Sequence, residues 1–201
     1  MSSEVDICNL ALARLGDEAT VSSIDPPEGS AQAEHCERFY PIARDALLEM
    51  HDWRFATKRV TLAQTTSDTF EWGFAYALPS GMLRALKVLS AAASATDDSE
   101  DFEQQLDADD AQIILSNCEE ASLIYTVRVT DTTRFTPLFV DALSWLLASH
   151  LAGPILKGDA GKAESKACLA YFGAALSQAK VSDANQRKVK PTHTPGWIGA
   201  R

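Results

Sequence analysis

Residues 136 to 153 read TPLFVDALSWLLASHLAG. Thr136 is a helix-capping residue and Pro137 suits the first helical position, where a missing N–H costs nothing. The spacing predicts a helix that runs from here to a stop at Gly153-Pro154. Leu138, Phe139, Val140, Leu143, Trp145, Leu146, Leu147 and Leu151 point in nearly every direction around it, interrupted by Asp141, Ser144, Ser149 and His150. A helix that is apolar on all sides must be surrounded. Lipid is a poor surrounding, because roughly 25 Å at 1.5 Å per residue is short for a bilayer and Asp141 and His150 lie inside the stretch. No membrane span is expected; the reading is a central helix covered by its own chain and by a neighbouring subunit.

Working outward, Gly158 and Gly161 read as a break, after which Cys168, Phe172, Ala175 and Ala179 mark a last long helix ending near Gln186. At the other end, Ser3 and Asp6 form a capping box, and Val5, Cys8, Leu12 and Leu15 share one face up to a stop at Gly16. Past Pro26-Pro27, the positions Ala33, Cys36, Tyr40, Ala43, Leu47 and Met50 recur at steps of three and four, predicting a helix from about Ser30 to His51. Pro41 falls inside it and must kink it or remove a backbone bond, at about 3 kcal/mol in an ideal interior.

From Arg54 the period changes to alternating. Phe55 to Ala63, Phe70 to Leu78, Met82 to Ser90, Gln112 to Leu115 and Ser122 to Val129 read as strands, the last two flanking Ser116-Asn117 as an antiparallel hairpin. Residues 91–110 are small and acidic and read as a mobile loop. The fold class expected is α+β: a bundle of about four helices from residues 1–53 and 134–186, an antiparallel β domain inserted at 54–133, and an extended C-terminal tail at 187–201.

The chain has 201 residues, 46% of them hydrophobic, enough for a real core. Its opening carries Glu4 and Asp6 where a secretion signal would want lysines, so a cytoplasmic protein is expected. Cys8, Cys36, Cys118 and Cys168 are far apart in sequence and read as buried reduced thiols, not as a zinc site or disulfide framework. The net charge of -10 is unevenly placed. No Lys or Arg occurs between Lys87 and Arg128, where Asp97, Asp98, Glu100, Asp101, Glu103, Asp107, Asp109, Asp110, Glu119 and Glu120 fall, whereas Lys180, Arg187, Lys188, Lys190 and Arg201 face only Asp183. An acidic middle and a basic end suit different partners.

Motifs for chemistry are absent. There is no H-E-x-x-H, G-x-S-x-G or G-x-G-x-x-G; Gly158-Asp159-Ala160-Gly161-Lys162-Ala163 follows a helix and puts Ala163 where a phosphate loop needs a hydroxyl. Asp107, Asp109 and Asp110 lack the central glycine and closing glutamate of a calcium loop. His35, His51, His150 and His193 sit beside no serine or cysteine at a recognisable spacing, since the adjacent His35 and Cys36 diverge on a helix. No catalytic residue, cofactor or metal is expected. The chain also has the wrong sign to grip duplex DNA, although an acidic wall suits a conduit through which DNA slides.

Asp6-Ile7-Cys8-Asn9-Leu10-Ala11-Leu12 with Leu15-Gly16, then Cys36, Tyr40, Arg44-Asp45, Leu48 and Trp53-Arg54-Phe55-Ala56, resemble the N-terminal half of the tail tubular protein A family, head-to-tail adaptors of short-tailed bacteriophages. The resemblance continues through Leu62-Ala63, Trp72-Gly73-Phe74-Ala75-Tyr76-Ala77-Leu78-Pro79, Met82-Leu83-Arg84 and Asp141-Ala142-Leu143 to Trp197 and Ala200-Arg201, departing at Gly81, where the family tends to place an acidic residue. The resemblance implies a homo-oligomeric ring of about twelve subunits in the virion neck, assembled in host cytoplasm. The portal protein would sit above it, a tail nozzle or tail tube protein below, and genomic DNA would pass through the lumen without specific binding. It would make Leu138, Phe139, Trp145 and Leu146 the subunit interface and Arg187, Lys188, Lys190, His193, Trp197 and Arg201 the portal contact. The acidic β domain would face the lumen or the tail.

Two readings of other classes compete. A cell-wall hydrolase needs paired carboxylates in a cleft, and most of the acids here fall in a stretch too polar to form one. A generic cytosolic interaction module needs neither ring nor portal.

Overall fold

In the computed structural model, described over residues 2–18, 20–90, 93 and 98–186, the chain is α+β: four helices and two three-stranded antiparallel sheets. Helix α1 is Glu4–Arg14, and its capping box is formed, with the Ser3 hydroxyl accepting from Asp6 N at 3.1 Å and the Asp6 carboxylate accepting from Ser3 N at 2.8 Å. Those bonds hold the Asp6 carboxyl below its ordinary range. Helix α2 is Ala31–Glu49, capped by Ser30, and continues through Pro41.

A 3-10 turn, Arg54–Ala56, occupies the start of the first expected strand, and β1 follows as Thr57–Thr61. The remaining strands are β2 Phe74–Ala77, β3 Met82–Leu89, β4 Phe102–Leu106, β5 Gln112–Ser116 and β6 Ser122–Val127. They form one sheet in the order β1-β6-β3 and another in the order β2-β5-β4. Two expectations are corrected here. The polar run FEQQL is strand β4 and not loop, because β5 pairs with it from Phe102↔Ser116 to Leu106↔Gln112. The strands β5 and β6 are no hairpin. They belong to different sheets, and the chain between them crosses over, with the Asn117 side chain accepting from Gly73 N at 2.8 Å.

The two sheets pack face to face through Tyr76 and Ile114 on one side and Val88, Leu123 and Tyr125 on the other. Gly81 begins the turn into β3 at a φ of +73°, a conformation that a side chain would strain, which accounts for glycine there.

Helix α3 is Pro137–Leu156 and α4 is Gly158–Ala184. Thr136 caps α3 through its hydroxyl to Phe139 N at 3.3 Å. The helix does not stop at Gly153-Pro154. Proline in the last turn loses one bond only, and the reversal comes at Lys157, whose φ is 56°. Gly161 is likewise inside α4, and its role is closeness. A Cβ there would meet the Ala152 carbonyl oxygen at 2.8 Å and the Gly153 Cα at 3.3 Å. Gly161→Leu should therefore lower stability by about 1 to 3 kcal/mol. Gly173→Ala, with nothing within 4 Å, should cost nothing. Urea unfolding of both variants checks this, and equal midpoints would contradict it.

Helix α3 is long and apolar enough to cross a membrane by length and composition alone. It is enclosed by α1, α2 and α4, and Phe139, Ala142, Leu143, Leu147, Ala148, Leu151 and Ala152 are fully buried among them. Three of the four thiols, Cys8, Cys36 and Cys168, are buried and Cys118 is half-buried, a partial correction. The Cys8 thiol meets Cys36, and this contact, with burial, pushes it far above its ordinary range.

Candidate functional site

Helical bundle and β region meet at residues 51–56, and side chains from distant parts of the chain converge there. Trp53 is fully buried, its Nε1 donating to the Leu47 carbonyl at 2.8 Å. Its ring stands edge-on to Phe139 of α3 at 5.0 Å and 87°, and Phe55 meets the same ring at 5.0 Å and 81°. Phe135 closes the aromatic cluster at 4.7 Å from Phe139.

Around this core lies a ring of charge. Asp183, in the last turn of α4 and 3% exposed, accepts from Arg54 N at 3.0 Å and lies 3.3 Å from His51 Nε2. Asp45 on α2 takes Arg44 at 2.9 Å and, across the joint, Arg128 at 2.8 Å. Asp52 pairs with Arg84 of β3. Bundle and sheet are thus tied by three acids of the helical part, each holding a group of the joint or of the sheet. The arrangement fixes an orientation; among the described residues no histidine is hydrogen-bonded to a serine or cysteine, and no group of three side chains suited to a metal occurs.

The expected interface residues do not form one surface. Phe139 is 0% and Leu146 5% exposed within the subunit itself, so neither has area left for a neighbour, a correction that follows from the chain's own packing: Trp53, Phe55 and Phe135 surround the Phe139 ring, and α3 is enclosed by α1, α2 and α4. Leu138 and Trp145 are half-buried. The Arg14 guanidinium lies 3.8 Å over the Trp145 ring and donates to Asp141 at 2.6 Å, while Tyr171 of α4 stacks with Trp145 at 4.7 Å. Trp145 therefore joins α1, α3 and α4. Arg187, Lys188, Lys190, His193, Trp197 and Arg201 lie outside the described residues.

The acids of the β region have structural jobs as well. Asp107 accepts from the backbone of Asp109 and Ala111, each at 2.9 Å, and from Ser67 Oγ at 2.9 Å, closing the β4–β5 turn. These bonds hold its carboxyl below the ordinary range. A cavity of about 340 Å³ beside β4 is lined by Leu78, Met82, Leu83, Leu106 and three glutamines, with no titratable side chain.

His150 is half-buried and stacked on Phe39, ring centroids 6.0 Å apart at 9°. Burial pushes its pKa below the ordinary 6.5. The unfolded chain therefore takes up a proton that the folded chain refuses, and stability falls as pH drops below 6.5 until the folded pKa is passed. His150→Gln should flatten the thermal midpoint between about pH 5 and 7 relative to the parent. Parallel profiles would contradict the assignment.

What sequence reasoning missed is the joint. Asp183 and Arg54 are 129 positions apart, and the lone signal was an acid at an otherwise apolar helix position. No protein-family model matches the chain, and no curated protein matches it.

Proposed function

We propose that the protein is a structural head-to-tail adaptor of a bacteriophage, acting as a ring between portal and tail and transforming no substrate. The observation that carries this reading is where the residues of the resemblance fall. Arg44-Asp45, Trp53-Arg54-Phe55-Ala56, Met82-Leu83-Arg84 and Asp141 are the groups that lock the bundle to the sheets or α1 to α3. A body built to hold two parts at a set angle suits a spacer that must match one ring above and another below. An acidic β region, with Glu100, Asp101, Glu103, Asp109, Asp110, Glu119 and Glu120 exposed, suits a lumen that DNA passes without sticking. The basic residues past Gln186 follow directly on α4, which Asp183 anchors at the joint.

Light scattering during size-exclusion chromatography tests the reading. Mixed with portal oligomers, the protein should co-elute at about one copy per portal subunit. An enzyme or a generic module would elute apart from the portal, and that result would overturn the proposal.

A further inference from the structure

Two three-stranded sheets have four outer edges, and the chain itself pairs with two of them, at two bonds along β2 and at one point of β3. On β2, Thr65 N donates to Ala75 O at 2.8 Å and Ala77 N to Ala63 O at 2.9 Å. On β3, Glu100 N donates to Val88 O at 2.8 Å. Strands β1 and β4 end their sheets, with no strand beyond either among the described residues. They lie on opposite sides of the sandwich, because the chain leaves β1 for the segment on β2, whereas it enters β4 from Glu100 on β3.

The free edges differ in charge. Strand β1 is TKRVT, with Lys58 and Arg59 exposed and no acid; β4 is FEQQL, with Glu103 and the preceding Asp101 exposed and no base. Each also exposes one aliphatic side chain, Val60 at 37% and Leu106 at 56%. On β4, the Asp107 N to Ala111 O bond of 2.9 Å sets the alternation of the ladder. Every second residue, from Phe102 to Leu106, then turns its N–H and C=O outward. The 340 Å³ cavity opens beside this edge, and the Gln105 amide nitrogen is buried there with no partner.

We propose that β1 of one copy pairs with β4 of the next, joining copies head to tail through the sandwich. Backbone groups that end each sheet in one copy find partners in the other, Arg59 meets Asp101 and Glu103 on the outer face of the joined sheet, and on the inner face, which Lys58 shares, the incoming Val60 side chain enters the groove beside Leu106. Like edges reject each other, basic against basic and acidic against acidic, so the contact is heterologous and closes into a ring if the rotation allows. The pairing rests on the adaptor reading for its closure into a ring, not for its chemistry.

Sedimentation velocity of the full chain at low ionic strength, up to millimolar concentration, tests it with two double variants. Lys58→Glu with Arg59→Glu makes both edges acidic; Asp101→Lys with Glu103→Lys makes both basic. Wild type should self-associate, each variant should do so at least about tenfold more weakly, and an equimolar mixture of the two should recover the wild-type affinity. Wild-type-like association of either variant alone, a mixture that stays apart, or a wild type that remains monomeric throughout would overturn the pairing. Portal co-elution separates the two ideas. A chain that self-associates as described but ignores portals sinks the adaptor reading alone, and variants that still coat portals with full rings sink the pairing alone.

Discussion

Alanine at position 53 should lower the stability of the subunit by about 3 to 5 kcal/mol, the largest effect of any single truncation in this chain. Trp53 is fully buried, and its ring meets Phe139 of α3 and Phe55 of the joint. Removing the indole leaves a void against Phe139 and His51, whose rings lie 5.0 and 4.8 Å from it. It also strips the Leu47 carbonyl of its 2.8 Å donor. A buried carbonyl left unmet accounts for about 1 to 3 kcal/mol of that loss. Trp53→Phe keeps most of the ring and loses the donor, so it should fall between. Urea unfolding followed by circular dichroism measures both, and an alanine variant within about 1 kcal/mol of the parent would show that the joint is not packed as described.

Deleting residues 189–201 should abolish attachment to portal particles and leave the unfolding midpoint where it is. The second half follows from the fold. Helix α4 ends at Ala184 and its anchor, Asp183, lies upstream of the cut, so every buried contact described above survives. The first half follows from the proposed portal contact. A buried tryptophan contributes about 2 to 3 kcal/mol, whereas exposed ion pairs from Arg187, Lys188 or Lys190 contribute about 0 to 1 each. Trp197→Ala alone should therefore weaken portal binding by about thirty- to a hundred-and-fiftyfold, and any one of the three basic residues by less. Full attachment by the truncated chain, or a large loss of stability, would contradict this division of labour.

Helices α1 to α3 were legible because each carries its own start signal and period: Ser3, Ser30 and Thr136 cap where they stand, and five of the six positions that the three-four spacing marks in α2 are buried, Met50 alone being exposed; α4, whose N-cap makes no side-chain bond, starts without such a signal. The limits of α3 were not, since Gly153-Pro154 has the chemistry of a stop but sits where a helix can lose one bond, while the turn at Lys157 has no sequence signature. Strand β4 was hidden by its polarity. As an edge strand it needs apolar groups on one face only, and Phe102 and Leu106 were too few to show a period. Pairing of β5 with β2 and β4 was invisible for a different reason: proximity in sequence favoured β6, and sheet partners are chosen by long-range packing. The interface residues failed on the same ground. Apolarity marks Phe139 and Leu146 as covered, but not by what, and the same chain covers them, Phe139 through Trp53, Phe55 and Phe135. The charged joint needed Asp183 and Arg128 brought next to residues from the first third of the chain, which no local pattern contains.

If the chain is the proposed adaptor, it forms a ring on the portal. Electron cryo-microscopy of portal oligomers mixed with the full-length protein measures it directly. The expected image is a closed ring of about twelve copies seated on the portal, helical bundles toward it and an open lumen through the centre. Bare portals in the presence of excess protein would contradict it.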